Sequence, residues 1–250
     1  MSRPSFDLTG RVALVTGASR GIGFAIASAL AASGAHVVLN SRNKAELDAA
    51  AAKIGGEALA FDVTDEAACV AAIAGIHKRK GRLDILVSNA GSNVRGPMLE
   101  YKTADFDAMT GLHLRAGFVL GREAAKIMAA AGKGHILYTT SLMAHLGRPN
   151  VVAYAAAKTA LEGMIRQMAV ELAPKGVLVN GIAPGYILTE LNQPLIANAE
   201  FNAMVVRRTP LGRWGDPAEL CGAALLLCSD AGSFLTGQTI VVDGGMSVAL

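Results

Sequence analysis

The stretch VALVTGASRGIGFAIASAL, Val12 to Leu30, governs how the rest of the chain is read. It opens as an apolar run, breaks at Thr16-Gly17 and resumes after Gly23 with helical spacing, which predicts strand, glycine turn, helix. Gly17, Gly21 and Gly23 stand where the chain must reverse, and a backbone without side chains lets another group come close. The turn also leaves backbone N–H groups free at a helix N-terminus, where the helix dipole favours an anion such as pyrophosphate. The plainer alternative is a tight turn that holds no ligand.

Outward from this stretch, RVALVT, AHVVLN, EALAFDV, DILVSNA, HILYTTS, GVLVNGIA and QTIVVDGG are seven strand candidates. Alanine-rich helical patterns such as KAELDAAAAKI and PAELCGAALLLCSD lie between them. Strands that alternate with helices imply right-handed crossovers and an α/β, doubly wound parallel sheet covered on both faces. Gly34 reads as the C-cap of the first helix, and Asp216-Pro217 as an N-cap with proline in the first turn. With 250 residues and no linker, repeat or low-complexity tract, a single domain, 1–250, is expected.

Composition narrows the function classes. The 23 basic and 20 acidic residues are scattered, with a net charge of +3, which argues against a nucleic-acid footprint. Cys69, Cys221 and Cys228 form no CxxC pair, so neither a disulfide frame nor a metal site is expected, and a reducing cytoplasm is the default. The N-terminal stretch carries no signal-cleavage pattern, and no run reaches the ~18 uncharged apolar residues of a membrane span.

In a doubly wound sheet ligands bind beyond the carboxyl ends of the strands, so the residues that follow each strand matter most. Tyr154 and Lys158 lie four apart in an alanine-rich helical segment and share one face. An ammonium beside a phenol favours the phenolate and lowers its pKa from ~10. On spacing alone, such a pair is more often a solvated helix surface than a catalytic one.

The turn's spacing, TGxxxGxG, is followed by Asn89-Ala90-Gly91, Ser141 at the end of the fifth strand, YxxxK at Tyr154 and Lys158, Pro184-Gly185, and VDGG. This ordered set resembles the short-chain dehydrogenase/reductase family over nearly the whole chain. The resemblance implies a Rossmann-like fold and interconversion of a carbonyl and a secondary alcohol. Tyr154 would exchange a proton with the substrate oxygen, Ser141 would hydrogen-bond that oxygen, and Lys158 would also hold the nicotinamide ribose. Cofactor contacts are implied at Gly17, Ser19, Arg20, Gly21, Ile22 and Gly23, at Asp62 and Val63 by the adenine, and at Asn89, Ala90 and Gly91 by the ribose. Pro184, Gly185, Ile187 and Thr189 would border the nicotinamide. At the end of the second strand, Ser41-Arg42 replaces the acid that many NAD-binding proteins place there, so NADP(H) is the expected cofactor, with Arg20 as a second cation.

The family's catalytic asparagine aligns with His113 in Leu112-His113-Leu114-Arg115. In the family that position offers its main-chain carbonyl to a water of the proton relay, which a histidine retains, so activity is expected to survive. A hydrogen-bonded core histidine is the other reading. The segments NAGSNVRGPMLE, SLMAHLGRPNVVAYAAAK and NGIAPGYILTELNQPL resemble the gluconate 5-dehydrogenase branch, which implies a sugar-acid substrate. Arg95 and Arg148 are the candidates to clamp its carboxylate, under a mobile lid at 185–214. A 3-oxoacyl-carrier-protein reductase and a non-catalytic NADPH sensor are the alternatives. Family resemblance further implies a homotetramer built on the helical segments Ala104 to Ala131 and Val151 to Ala173.

Overall fold

Strand β1, Val12–Thr16, is buried at every position. This is what a continuous run of apolar residues requires when helices cover both faces of a parallel sheet. Its side chains alternate between two cores: Ala13 and Val15 join one, Val12 and Leu14 the other. The computed structural model describes residues 5–249; the first four residues and the last of the expected 1–250 domain lie outside them.

From β1 the chain runs through α1 (Gly21–Ala32), β2 (His36–Asn40), α2 (Lys44–Ile54), β3 (Glu57–Ala58), α3 (Glu66–Lys80) and β4 (Ile85–Ser88). It continues through α4 (Thr103–Thr110), α5 (Ala116–Ala131), β5 (Gly134–Thr139), α6 (Val152–Leu172) and β6 (Val177–Pro184). Helices α7 (Gln193–Ile196), α8 (Ala199–Arg208) and α9 (Cys221–Cys228) precede β7 (Thr239–Val242). The seven strands are all parallel in the order β3-β2-β1-β4-β5-β6-β7, so the expected doubly wound sheet is present and its order reverses between β1 and β4. That switch opens a crevice at the carboxyl ends of the two strands.

Local chemistry explains most boundaries. Asn43 and Asp65 cap α2 and α3 through their side-chain oxygens, and Gly55 and Gly81 end both helices in the left-handed conformation. Asp216 is an N-cap with Pro217 behind it, as expected, and Glu219 completes a capping box, although the cap opens a 3₁₀ turn, Pro217–Leu220, before α9 begins. Gly34 lies one residue past the C-cap, Ser33, and takes φ +99°, which is why a glycine is needed there. The EALAFDV candidate shrinks to Glu57–Ala58, since β3 is an edge strand and the chain turns at Asp62. The segment Ala104–Ala131 is helical but broken by one π turn at Gly111–Arg115. No helix among the described residues is long and apolar enough to cross a membrane.

Candidate active site

The glycine turn is shaped first by steric demand. Gly17 has φ +63°, and a Cβ there would meet the Ala90 Cα at 2.8 Å; a Cβ on Gly23 would run into the Gly17 carbonyl. Thr16 Oγ1 accepts from the Asn89 and Ala90 N–H groups at 3.0 and 3.1 Å. Asn89 Nδ2 donates to the Thr16 and Gly17 carbonyls at 3.1 and 3.3 Å, and its Oδ1 accepts from Thr139 at 3.1 Å. The Asn89 side chain therefore pins the ends of β1, β4 and β5 together, leaving the backbone of Asn89, Ala90 and Gly91 to border the crevice.

A dinucleotide fits this turn. Helix α1 starts at Gly21 with no side-chain cap and no acid in its first turn, so its N-terminal N–H groups are available to an anion. Ser19 and Ile22 sit in the turn, and Thr189 stands over Gly21, its Cγ2 3.6 Å from where a Cβ would lie. At the end of β2, Ser41 donates to the Asn43 carbonyl, and the exposed Arg42 lies 3.9 Å from Asp62. Asp62 accepts from the N–H and hydroxyl of Thr64, which hold its carboxyl below the usual range, and Val63 is buried beside it. Arg20 differs from expectation: it faces Glu190 at 3.0 Å and Glu46 at 3.7 Å, so it bridges the turn to the roof of the cleft instead of standing alone beside Arg42. Acids on two neighbouring elements account for this, and their separation in sequence hid it.

Ser141, Tyr154 and Lys158 meet beyond β5, as their spacing implied. Ser141 caps a 3₁₀ turn, Leu142–Ala144, by accepting from the Met143 N–H at 3.1 Å. Lys158 is buried and donates to the Thr139 carbonyl at 2.7 Å, with its Nζ 5.6 Å from the centre of the Tyr154 ring. One expectation is corrected here. Burial holds the Tyr154 hydroxyl above its ordinary pKa, against the opposing pull of the Ser141 hydroxyl and of Arg148 and Arg95. Burial likewise brings the Lys158 ammonium down to about 7, so desolvation outweighs the assistance the ammonium was expected to give the phenolate.

His113 lies in the π turn, 4% exposed. Its Nε2 is 2.7 Å from the Ser92 carbonyl, and its ring meets that of Tyr154 edge to face with centroids 5.2 Å apart. His113 is thus a buried, hydrogen-bonded histidine whose ring also touches that of Tyr154.

Arg95 and Arg148 also come together. They face a cleft of ≈ 740 Å³, open solvent included, that is lined by Ser141, Tyr154, Pro184, Gly185, Ile187 and Thr189 as well. Burial and the neighbouring Arg148 both lower the pKa of Arg95, and its Nε is buried without a hydrogen-bond partner. Arg148 donates to the Tyr186 hydroxyl at 3.3 Å and stacks over Phe201 at 5.1 Å. Among the described residues no acidic side chain lines this cleft.

The roof is residues 185–214. Tyr186, Phe201 and Trp214 form a chain of edge-to-face rings, and Trp214 joins Leu142, Val205 and Met246 in a third small core beside the turn that Ser141 caps. The excursion closes on itself, since the Gly215 N–H donates to the Tyr186 carbonyl and the Leu188 N–H to that of Gly215. Tyr186, Phe201, Trp214 and Asn93 went unnoticed in the sequence. Three aromatics fifteen and thirteen residues apart share no period, and only a nearby arginine gives two of them a task. Among other pairs, His145 lies 3.0 Å from Glu162, which anchors the loop holding Arg148 to α6.

A family model described as enoyl-(acyl carrier protein) reductase matches residues 17–247. The chain is 43% identical to a gluconate 5-dehydrogenase of Gluconobacter oxydans over the full length of both. It is 37% identical to a 5-keto-D-gluconate 5-reductase of Escherichia coli, with 98% of each chain covered. A solved structure of a gluconate 5-dehydrogenase from Burkholderia cenocepacia, in complex with NADP and tartrate, superposes with a TM-score of 0.95 at 40% identity, covering 98% of each chain. With the glycine turn, the Ser141, Tyr154 and Lys158 cluster and this likeness over the full chain in place, the protein belongs to the short-chain dehydrogenase/reductase family.

Proposed function

We propose that the chain is an NADP(H)-dependent oxidoreductase that interconverts 5-keto-D-gluconate and D-gluconate. The observation that carries the substrate class is the pairing of Arg95 with Arg148 over Tyr154 in a cleft that no acid among the described residues lines. Two cations held together, one with a buried donor left unpaired, create a demand for an anion, which a sugar-acid carboxylate meets with fork-shaped hydrogen bonds. The similar gluconate enzymes support the same choice.

Bound NADP(H) supplies the hydride in reduction or takes it up in oxidation. The uncapped start of α1 would hold the pyrophosphate, and Arg42 with Ser41 the 2′-phosphate. Ser141 and Tyr154 would both hold the substrate oxygen. Because burial keeps the Tyr154 phenol protonated at neutral pH, it is ready to donate its proton as the carbonyl becomes an alcohol. The Lys158 ammonium, poised near neutrality and tied to the Thr139 carbonyl, would return a proton to the phenolate. Residues 185–214 act as a lid hinged at the Tyr186 and Gly215 pairing.

Several exposed apolar side chains on the long helices, Phe106, Phe118 and Val170, support association into a homotetramer through those helices. Three free cysteines suit a reducing cytoplasm. The deciding experiment is reduction of 5-keto-D-gluconate by NADPH with the purified protein, beside a neutral ketone of similar size and a 3-oxoacyl thioester. Preference for the thioester would replace this reading with that of an acyl-carrier reductase; NADPH binding without turnover of any carbonyl would favour a sensor.

A further inference from the structure

His113 stands where the family has asparagine, and the resemblance accounts only for its backbone carbonyl. The side chain has a place of its own. A carbonyl only accepts, so the short contact to Ser92 means that Nε2 carries the proton and Nδ1 is a bare acceptor, buried and unpartnered. The ring's Cε1 would lie 2.6 Å from a Cβ on Gly91, so a side chain at 91 and this imidazole exclude one another. The imidazole also meets the Tyr154 ring at an interplanar angle of 89°. Ser92 opens the loop that carries Arg95, and the Gly96 N–H of that loop donates to the carbonyl of Asn150, which has φ +67° and lies between Arg148 and Tyr154.

We infer that the His113 imidazole is a positioning residue that couples the proton donor to the substrate loop: its perpendicular contact fixes the ring of Tyr154, and its Nε2–H holds Ser92, and through it Arg95. The ring acts on two groups in two separable ways, by shape on Tyr154 and by a hydrogen bond on Ser92. An asparagine at 113 keeps the backbone carbonyl and loses the aromatic edge. The inference rests on the proposed roles of Tyr154 and Arg95.

Three variants separate the two actions, each assayed with NADPH and 5-keto-D-gluconate. His113→Gln offers an amide N–H to the Ser92 carbonyl without a ring, and should hold KM within about threefold while kcat falls about tenfold, the scale of a small misplacement of a reacting group. His113→Phe offers a ring without a donor, and should do the reverse, with KM up about tenfold and kcat within about threefold. His113→Asn should lose in both constants, and the Kd for NADPH should stay level in all three. The inference is overturned if the asparagine variant matches the wild type in both constants. It is equally overturned if the glutamine and phenylalanine variants lose kcat and KM alike with a fall in melting temperature, since the ring would then be core filling alone. Should one variant not fold, the other still reads one half of the split. If the wild type does not reduce 5-keto-D-gluconate, the substrate reading fails by itself, and the kcat half is measured on whichever carbonyl the wild type reduces.

Discussion

Replacing Arg95 by alanine should raise the KM for 5-keto-D-gluconate about 10- to 100-fold and leave kcat much less affected. A hydrogen bond to a charged partner is worth roughly 1.5–3 kcal/mol, which corresponds to that range. Two features of the site set the value within it. Arg95 is only half-buried, so water screens part of the attraction, and Arg148 stays behind as a second cation for the same carboxylate. Removing Arg95 also relieves the repulsion between the two arginines. Both effects point to the lower half of the range for the single variant. They also predict that Arg95→Ala and Arg148→Ala are not additive, with a coupling above about 0.5 kcal/mol. The kcat should hold because a carboxylate at the far end of the substrate is bound alike in ground and transition states. Arg95→Lys should recover part of the loss, since it restores the charge without the fork. Initial rates of NADPH oxidation across a substrate series, with a neutral ketone in parallel, give all of these constants. An unchanged KM in Arg95→Ala, or a neutral ketone reduced as efficiently as the acid, would refute the reasoning.

Tyr154→Phe should lower turnover by about 10²–10⁴ with NADPH affinity nearly unchanged, because it removes only the proton donor; near-normal turnover would assign the proton elsewhere. Arg42→Ala should weaken NADPH about tenfold or more while NADH binding barely moves, since only NADPH has a 2′-phosphate to lose a partner; equal binding of the two by the wild type would sink this reading. Acid stability should be governed in part by His135, whose burial beside Arg11 brings it down to about 4. The folded state then binds fewer protons than the unfolded one between pH ~6.5 and ~4, so this contribution is complete above the upper limit and falls by ~3 kcal/mol on acidification through the window. Urea unfolding of the wild type and His135→Gln at several pH values measures it, and identical slopes would remove His135 as the cause.

What the sequence by itself determined is local in origin. The apolar run of Val12–Thr16, the glycines at 17, 21 and 23, the Asp216-Pro217 N-cap and the one-turn spacing of Tyr154 and Lys158 depend on neighbours within a few residues. Such features survive in a string of letters, and a doubly wound parallel sheet followed from them through the handedness of crossovers, whereas the order of its strands is read from the structure. Tertiary structure decided the rest. Whether Lys158 lowers the Tyr154 pKa depends on how much low-dielectric material several elements pack around both groups, and here burial prevails and raises it. Arg20 meets Glu46 and Glu190, His113 meets Ser92 and Tyr154, and Arg95 faces Arg148 only once loops from four strands converge at one edge of the sheet. Electrostatic and packing forces act through space over a few ångströms, whereas sequence pattern reports distance along the chain, and the two coincide only within a helix, a strand or a turn.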